Sequence, residues 1–289
     1  MSASATWQQS LRLTVRTASA HWPGIAQLRR KLYEARFRAG RYHCGYSGRF
    51  ASFEAAERAL PTGLSGFDHD AMADIDHYTT MAGGIEPMPA TEYPLLFWLR
   101  GALDEGARTL LDLGGYVGHA FRQYDRYLDF PDDFRWTVFD LPHITRAGQT
   151  IAARQPTPRL RFTNSVDDGC GMEILLAAGS LQYLPENYLH ERLKAWPKRP
   201  RHLIVQRTPL HARHSFVTIQ SVITRTGEVS FCPYSVPART GFIDGLLALG
   251  YELVDSWEKP RSLDVPFHPE CHVETYSGLY FQLPHPTEK

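Results

Sequence analysis

From Thr109 onward, short apolar runs alternate with longer segments whose apolar side chains recur at helical spacing. The short runs predict strands at 109–113, 134–139, 160–163, within 171–181, and at 201–206, 251–256 and 278–283. The intervening segments predict helices at 118–128, 143–155, 189–196 and 240–249. Strands that alternate with helices form a parallel sheet through right-handed crossovers. The pattern therefore predicts an α/β fold: a Rossmann-like, doubly wound, mostly parallel sheet of seven strands.

The first hundred residues have a helical pattern instead. Leu28, Leu32, Ala35 and Ala39 form an apolar stripe, which indicates a helix face in the core or in a dimer. Helices are predicted at 5–40 with a break at 22–24, at 53–60, at 68–80 and at 93–103, with glycine-rich loops at 40–50 and 81–89. We expect residues 1–105 to form a helical N-terminal region without a sheet, for dimerisation or as a substrate cap, and residues 106–289 to form the Rossmann-like domain.

One segment interrupts the alternation after the fifth strand. Residues 216–223 and 228–231, joined by 224–227, predict an inserted hairpin. Loops at the carboxyl ends of the strands carry the site in open α/β sheets. The hairpin is therefore a candidate wall or lid.

An acid and three glycines end the first predicted strand: Asp112, Gly114, Gly115 and Gly118. Glycine allows a positive φ and a close approach of the backbone to a ligand. The spacing is not that of a nicotinamide-binding turn, because Tyr116 and His119 stand where its later glycines belong, and no phosphate-binding P-loop motif is present. It fits an acid-x-G-x-G-x-G turn apart from Tyr116. A tight turn without a ligand is the alternative.

A second acid, Asp140, lies 28 positions after Asp112, at the end of the second predicted strand. A carboxylate there can accept hydrogen bonds from both hydroxyls of a ribose, as in nucleoside-cofactor folds. The alternative is a charge at a helix N-terminus. Together with the glycine turn, Asp140 favours the ribose role.

The stretches 110–118 and Val-Phe-Asp-Leu-Pro-His (138–143) resemble class I S-adenosylmethionine-dependent methyltransferases. A wider resemblance covers most of the chain. Five segments occur in the order found in a family of inferred methyltransferases encoded among bacterial surface-polysaccharide genes: 48–56, 93–96, the glycine turn, 180–184 and 206–210. The resemblance implies the Rossmann-like fold and S-adenosyl-L-methionine as cofactor.

The resemblance also implies roles for individual residues. The expected cofactor contacts are Asp112, Gly114, Gly115 and Gly118 at the methionine end, Asp140 and Leu141 at ribose and adenine, Ser165 and Asp167 bordering adenine, and Ser180 and Gln182 near the sulfonium. Candidate substrate contacts are Tyr183, Tyr93 and Tyr116. A histidine base follows strand four in small-molecule O-methyltransferases, whereas this chain has Gln182 and Tyr183 there, so the acceptor atom stays open.

Methyl transfer needs alignment of the acceptor with the sulfonium, and a base where the acceptor is a hydroxyl. His211 and His214 follow the fifth strand and are candidate bases, since imidazole titrates in the right range. Arg207 is a third catalytic candidate, through an anionic substrate group. We expect O-methylation of a small molecule or sugar. The alternatives are N-methylation, another use of the same cofactor, or an inactive homologue that serves as an interaction subunit.

Composition limits the partners. The formal net charge is zero, which gives no general attraction to nucleic acid. Residues 1–50 carry nine basic side chains against one acid, Glu34; this segment is either a solvated face or a contact for an anionic surface.

His268 and His272 flank Glu270 and Cys271, but their spacing matches no common zinc pattern, and we expect no metal. No apolar run reaches the length of a membrane span and the cysteines are scattered, so we expect a cytoplasmic protein, with a homodimer as an open option.

Overall fold

The computed structural model describes residues 23–67, 87–154, 157–224 and 227–284. Within them the helices are α1 (Pro23–Arg38), α2 (Phe53–Arg58), α3 (Tyr93–Asp104), α4 (His119–Tyr124), α5 (Pro142–Arg154), α6 (Tyr188–Ala195) and α7 (Arg239–Leu247). The strands are β1 (Tyr46–Phe50), β2 (Leu64–Ser65), β3 (Thr109–Leu113), β4 (Arg135–Phe139), β5 (Leu160–Thr163), β6 (Ile174–Ala178), β7 (His202–Pro209), β8 (Phe216–Ile223), β9 (Val229–Val236), β10 (Glu252–Lys259), β11 (Leu263–Val265), β12 (His268–Val273) and β13 (Tyr276–Gln282). Short 3₁₀ turns lie at Ala90–Glu92, Val166–Gly169 and Leu181–Tyr183.

The central sheet has seven strands in the order β10-β13-β7-β6-β3-β4-β5. Its strands are parallel except β13, which is antiparallel to both β7 and β10. From β3 the chain runs outward through β4 to β5, and it then returns to β6 on the other side of β3. Ligands of open α/β sheets bind where the strand order reverses, which here is between β3 and β6. The predicted Rossmann-like fold is confirmed.

Each face of this sheet is covered. Leu110 of β3 packs in one cluster with Leu95 and Leu99 of α3. Its neighbour Leu111 belongs to the opposite cluster, with Leu193 of α6 and residues of α7. Because successive side chains of a strand point to opposite faces, a strand covered on both sides is apolar at most of its positions. This burial explains the short apolar runs.

A second sheet has the order β1-β8-β9-β2. The inserted hairpin is present as β8 and β9, paired antiparallel from Phe216–Val236 to Ile223–Val229. The prediction of an N-terminal region without a sheet is wrong, because β1 pairs with β8 and β2 with β9. Likewise, Tyr46–Phe50 is a strand although 40–50 was a predicted loop. Its sequence, Tyr-Ser-Gly-Arg-Phe, lacks apolar alternation, and it is extended because it pairs with the edge of β8.

The helices α1 and α2 cover one face of the second sheet. Phe37 packs there with Val217 and Phe231. By contrast, Leu28 and Leu32 of the predicted stripe are 66% and 50% exposed, so they are not core residues. The alternative, a dimer surface, stays a prediction. The predicted helices at 5–22 and 68–80 lie outside the described residues.

Candidate functional site

The turn after β3 is pressed against the segment after β6. Gly114 has φ +70°, and a Cβ placed there would lie 2.4 Å from the Cβ of Ser180. The Ser180 hydroxyl donates to the Leu113 carbonyl and fixes this approach. At Gly115 a Cβ would lie 2.3 Å from Oδ2 of Asp112. Glycine is therefore required sterically at both positions, and the turn lies at the switch point of the sheet.

Asp112 is buried beneath the turn. Its Oδ2 accepts a hydrogen bond from Nε1 of Trp136 at 3.0 Å. Burial raises the pKa of Asp112 to about 7; the Trp136 hydrogen bond opposes the rise, Asp140 adds to it and Arg207 opposes it. Sequence reasoning missed Trp136. The available signal was a tryptophan inside a strand beside β3, because a buried indole N–H usually needs an acceptor.

Tyr116 has a left-handed backbone conformation of the kind that favours glycine. Its φ is +60°, and its N–H donates to Oδ2 of Asp140 at 2.8 Å. Its ring packs with Leu141 against the apolar side chains of α5. A positive φ at a bulky residue persists only where the surroundings hold it. Asp140 therefore fixes the shape of the glycine turn, and Tyr116 lies on the Asp140 side of it.

Asp140 also accepts from the Leu141 N–H, at 2.8 Å, through its other oxygen. Burial raises the pKa of Asp140, and the two backbone hydrogen bonds oppose the rise. Asn164, which sequence reasoning missed, donates to the Asp140 carbonyl at 2.7 Å. Each carboxylate oxygen has a second lone-pair direction. Asp140 therefore has acceptor capacity beyond its backbone partners, as a ribose contact requires.

Ser165 and Asp167 follow β5, and both are exposed. Asp167 accepts from Nε1 of Trp196 at 3.0 Å and forms an ion pair with Arg192 at 3.6 Å. These contacts fix the 3₁₀ turn that begins at Val166. The adenine-bordering role of the two residues stays a prediction.

Gln182 and Arg207 donate hydrogen bonds to neighbouring backbone carbonyls, those of Gly179 and Ala178. Nε2 of Gln182 donates to the Gly179 carbonyl at 2.7 Å, and Nη2 of Arg207 donates to the Ala178 carbonyl at 2.6 Å. Arg207 has φ +55°, an unusual conformation for a residue with a long side chain inside a strand. The structure thus places Arg207 beside the expected cofactor contacts after β6.

Four buried side-chain atoms at this edge have no hydrogen-bond partner among the described residues: Thr91 Oγ1, Gln182 Oε1, Gln206 Oε1 and Arg207 Nε. Thr91 and Gln206 are neighbours, since Nε2 of Gln206 donates to the Thr91 carbonyl at 3.3 Å. Buried polar atoms nearly always have partners. A polar ligand with both donors and acceptors is able to supply them. Sequence reasoning missed Thr91 and Gln206, although Gln206 stood out as a polar residue after the apolar run 203–205.

The three candidate substrate tyrosines lie in different surroundings. Tyr183 is half-buried, donates to Oε1 of Gln220 at 3.1 Å and has its ring 5.4 Å from that of Tyr234. Its contacts place the inserted hairpin beside the segment after β6. Tyr93 begins α3 and is 52% exposed. Tyr116 belongs to the apolar cluster beside α5.

His211 and His214 form a pair with ring centroids 4.1 Å apart, next to Phe216. Nδ1 of His211 accepts from the His214 N–H at 3.0 Å and from the Arg213 N–H at 3.3 Å. Burial and the neighbouring His214 lower the pKa of His211. Nε2 of His214 is buried without a hydrogen-bond partner in the described part of the chain. His211 therefore organises its own loop, whereas His214 retains an uncommitted ring nitrogen.

The His268–His272 segment is strand β12, where His268 contacts Glu270 at 3.1 Å and His272 contacts Asp264 at 2.7 Å. Across the described ranges, no group of three or more His, Cys, Asp or Glu side chains is placed to hold a metal ion. The helices that the structure describes include none with the length and apolar character needed to cross a membrane. Cytoplasmic location stays a prediction.

The sheet order and the switch-point turn define a Rossmann-like α/β protein. No protein-family model matches the chain, and no curated protein matches it. Among solved structures it is similar to the CcbJ methyltransferase from Streptomyces caelestis, with 13% identity, 70% of this chain and 94% of that one covered, and a TM-score of 0.41. It is also similar to the Burkholderia thailandensis 1,6-didemethyltoxoflavin-N1-methyltransferase, with 18% identity, 78% of this chain and 94% of that one covered, and a TM-score of 0.44. A third similar structure is an S-adenosylmethionine-dependent methyltransferase from Clostridium acetobutylicum ATCC 824, with 11% identity, 68% of this chain and 93% of that one covered, and a TM-score of 0.44. Likeness at this level assigns no ligand or activity to the chain.

Proposed function

We propose that this chain is an S-adenosyl-L-methionine-dependent methyltransferase that acts on a small molecule or sugar. One observation carries the proposal: the glycine turn, whose Tyr116 N–H donates to Asp140, lies at the switch point, beside four buried polar atoms that have no partner within the described ranges. A nucleoside with a charged amino-acid end matches both parts of this arrangement. The acid-x-G-x-x-x-G spacing and the 138–143 segment add the resemblance to class I methyltransferases.

The residues present fit this cofactor. The free acceptor capacity of Asp140 suits the ribose hydroxyls, and Leu141 with the ring of Tyr116 offers an apolar border for adenine. Arg207 Nε suits the cofactor's carboxylate. Asp112 suits its ammonium group, as do the side-chain oxygens of Gln182 and Gln206, which have no partner among the residues that the structure describes. When bound, the cofactor supplies a sulfonium-activated methyl group. The protein's tasks are to orient the acceptor and, for a hydroxyl, to receive its proton.

For the acceptor we propose O-methylation with His214 as the base. The support is the buried Nε2 of His214, for which the described part of the chain supplies no hydrogen-bond partner. The Nδ1 of His211, by contrast, accepts two backbone N–H groups. N-methylation is the second candidate, since an amine acceptor is a nucleophile without such a base. An interaction subunit that binds the cofactor without transferring its methyl group is the third.

His214→Ala is expected to lower kcat for a hydroxyl acceptor by about 10²–10⁴-fold, the usual contribution of a general base. His211→Ala is expected to destabilise the fold by about 1–3 kcal/mol, because it leaves two backbone donors unpaired, and to affect the rate of the folded enzyme much less. The assay follows transfer of a labelled methyl group to panels of phenols, sugars and amines.

The outcomes separate the alternatives. Wild-type turnover by His214→Ala would exclude it as the base. Transfer to amines alone would replace O-methylation by N-methylation. Cofactor binding without transfer to any compound would favour the interaction subunit.

A further inference from the structure

Four tyrosines, which we call the tyrosine cluster, converge between the two sheets: Tyr46, Tyr183, Tyr234 and Tyr276. The hydroxyls of Tyr234 and Tyr276 are 2.9 Å apart, and the rings of Tyr46 and Tyr234 are in edge contact at 5.2 Å. Gln220 of β8 joins the other two members. It accepts from the Tyr183 hydroxyl at 3.1 Å and donates to the Tyr46 hydroxyl at 3.2 Å. The cluster is therefore a connected polar network lined by aromatic rings.

The network begins at the proposed catalytic site. Tyr183 ends the 3₁₀ turn that follows Ser180, and Ser180 lies against Gly114 of the glycine turn. From Tyr183 the contacts lead through Tyr234 to Tyr276 at the start of β13. The tyrosine cluster thus extends from the switch point outward beneath the second sheet.

Three phenols of this network, those of Tyr46, Tyr183 and Tyr234, are neutral. Burial raises the pKa of Tyr46, Tyr183 and Tyr234 well above the ordinary value for tyrosine. A protonated phenol both donates and accepts hydrogen bonds. These three side chains therefore offer hydroxyl groups to a polar ligand and no negative charge to a neighbouring cation.

Arg261 lies beside the cluster, with its guanidinium carbon 5.0 Å from the centroid of the Tyr276 ring. In the described part of the chain, no carboxylate forms an ion pair or hydrogen bond with Arg261. Several other arginines do pair with acids, among them Arg100 with Asp104 at 2.9 Å and Arg159 with Asp132 at 2.7 Å. Arg261 therefore places a planar fork of donors over the ring of a member of the tyrosine cluster, an arrangement that suits a carboxylate or phosphate.

We propose that Arg261 and the tyrosine cluster anchor the acceptor through an anionic group, a carboxylate or a phosphate. The placement of the acceptor near the glycine turn rests on the proposed methyltransferase function. Binding of an anionic group at Arg261 does not depend on that function and is tested independently. The bound acid would be held by Arg261 and phenol hydroxyls, with the remainder of the acceptor directed along Tyr183 toward the glycine turn.

Matched pairs of probes test the anchor: glucuronate and glucose 6-phosphate against glucose, and 4-hydroxybenzoate against phenol. Dissociation constants are measured by saturation-transfer NMR, with and without S-adenosylhomocysteine. Wild-type protein is expected to bind at least one acid about 10-fold or more tighter than its uncharged counterpart, as for a charged hydrogen-bonding group. Arg261→Gln should remove this preference. Tighter binding of glucuronate would identify the anionic group as a carboxylate, and tighter binding of glucose 6-phosphate would identify it as a phosphate.

The matched control is Arg126→Gln, since Arg126 also lies over a tyrosine ring, at 5.9 Å from that of Tyr127, but outside the cluster. It should bind the acids like wild type. Equal binding of acids and uncharged probes, no binding of any acid, or unchanged acid binding in Arg261→Gln would overturn the anchor. S-adenosylhomocysteine binding by Arg261→Gln should equal that of wild type. If wild type fails to bind S-adenosylhomocysteine while the acid preference persists, the methyltransferase proposal fails and the anchor stands.

Discussion

Replacing Gly114 by alanine is expected to destabilise the chain by about 2–5 kcal/mol and to remove cofactor binding. The left-handed backbone at φ +70° costs a residue with a Cβ about 1–2 kcal/mol. A further 1–3 kcal/mol, roughly, comes from overpacking, because the new methyl group would lie 2.4 Å from the Cβ of Ser180. Relief of that clash separates the glycine turn from the segment after β6.

Urea unfolding measures the loss of stability of Gly114→Ala, and calorimetric titration with S-adenosylhomocysteine measures its loss of cofactor binding. Gly241→Ala is the matched control: Gly241 lies in α7, and a Cβ there meets nothing within 4 Å. That change should stabilise the helix by about 0.5–1 kcal/mol and leave binding intact. A Gly114→Ala protein as stable as wild type would show that the turn does not have the described geometry.

Asp112→Asn is expected to stabilise the ligand-free protein by up to about 4 kcal/mol at pH 8, and by little at pH 4. Burial raises the folded-state pKa of Asp112 to about 7, against the model-compound value of 3.8. Ionisation is therefore easier in the unfolded chain, and the Asp112 contribution to stability is lost as pH rises from about 4 to about 7. Asparagine retains an oxygen for the Trp136 N–H and removes the charge.

The free energy of unfolding of wild type and Asp112→Asn is compared across this pH range. Asp255→Asn is the control, because Asp255 accepts from Nε1 of Trp98 at 2.7 Å but is only half-buried. Its substitution should change stability by less than about 1 kcal/mol, since a partly exposed carboxylate stays hydrated. If the difference in free energy of unfolding between Asp112→Asn and wild type does not grow as pH rises, the result would contradict the burial of an ionisable Asp112.

The central sheet was predictable because burial of its strands on both faces requires runs of consecutive apolar residues, which are visible in the sequence. Runs such as Leu110–Leu111 and 203–205 are apolar at successive positions, and the helices between them carry stripes. The turn after β3 was predictable for a related reason. Its glycines are required by close contacts with Ser180 and Asp112, which no other residue type permits.

Features that depend on contacts distant in the chain were not predictable. Tyr46–Phe50 becomes a strand only because β8 lies beside it. Tyr116 takes a glycine-like conformation because Asp140 accepts its N–H from 24 positions away. Thr91 and Gln206 meet across 115 positions. The tyrosine cluster likewise joins β1, β9 and β13, and the sequence of any one strand carries no sign of it.

The most direct test of the proposed cofactor is a calorimetric titration with S-adenosylhomocysteine of wild type and Asp140→Ala, with NAD⁺ as control ligand. We expect saturable binding of S-adenosylhomocysteine with one site per chain, no binding of NAD⁺, and a loss of at least about 10-fold in affinity for Asp140→Ala, whose ribose acceptor is gone. Absence of saturable binding by folded wild-type protein at millimolar S-adenosylhomocysteine, or equal affinity of the two proteins, would contradict it.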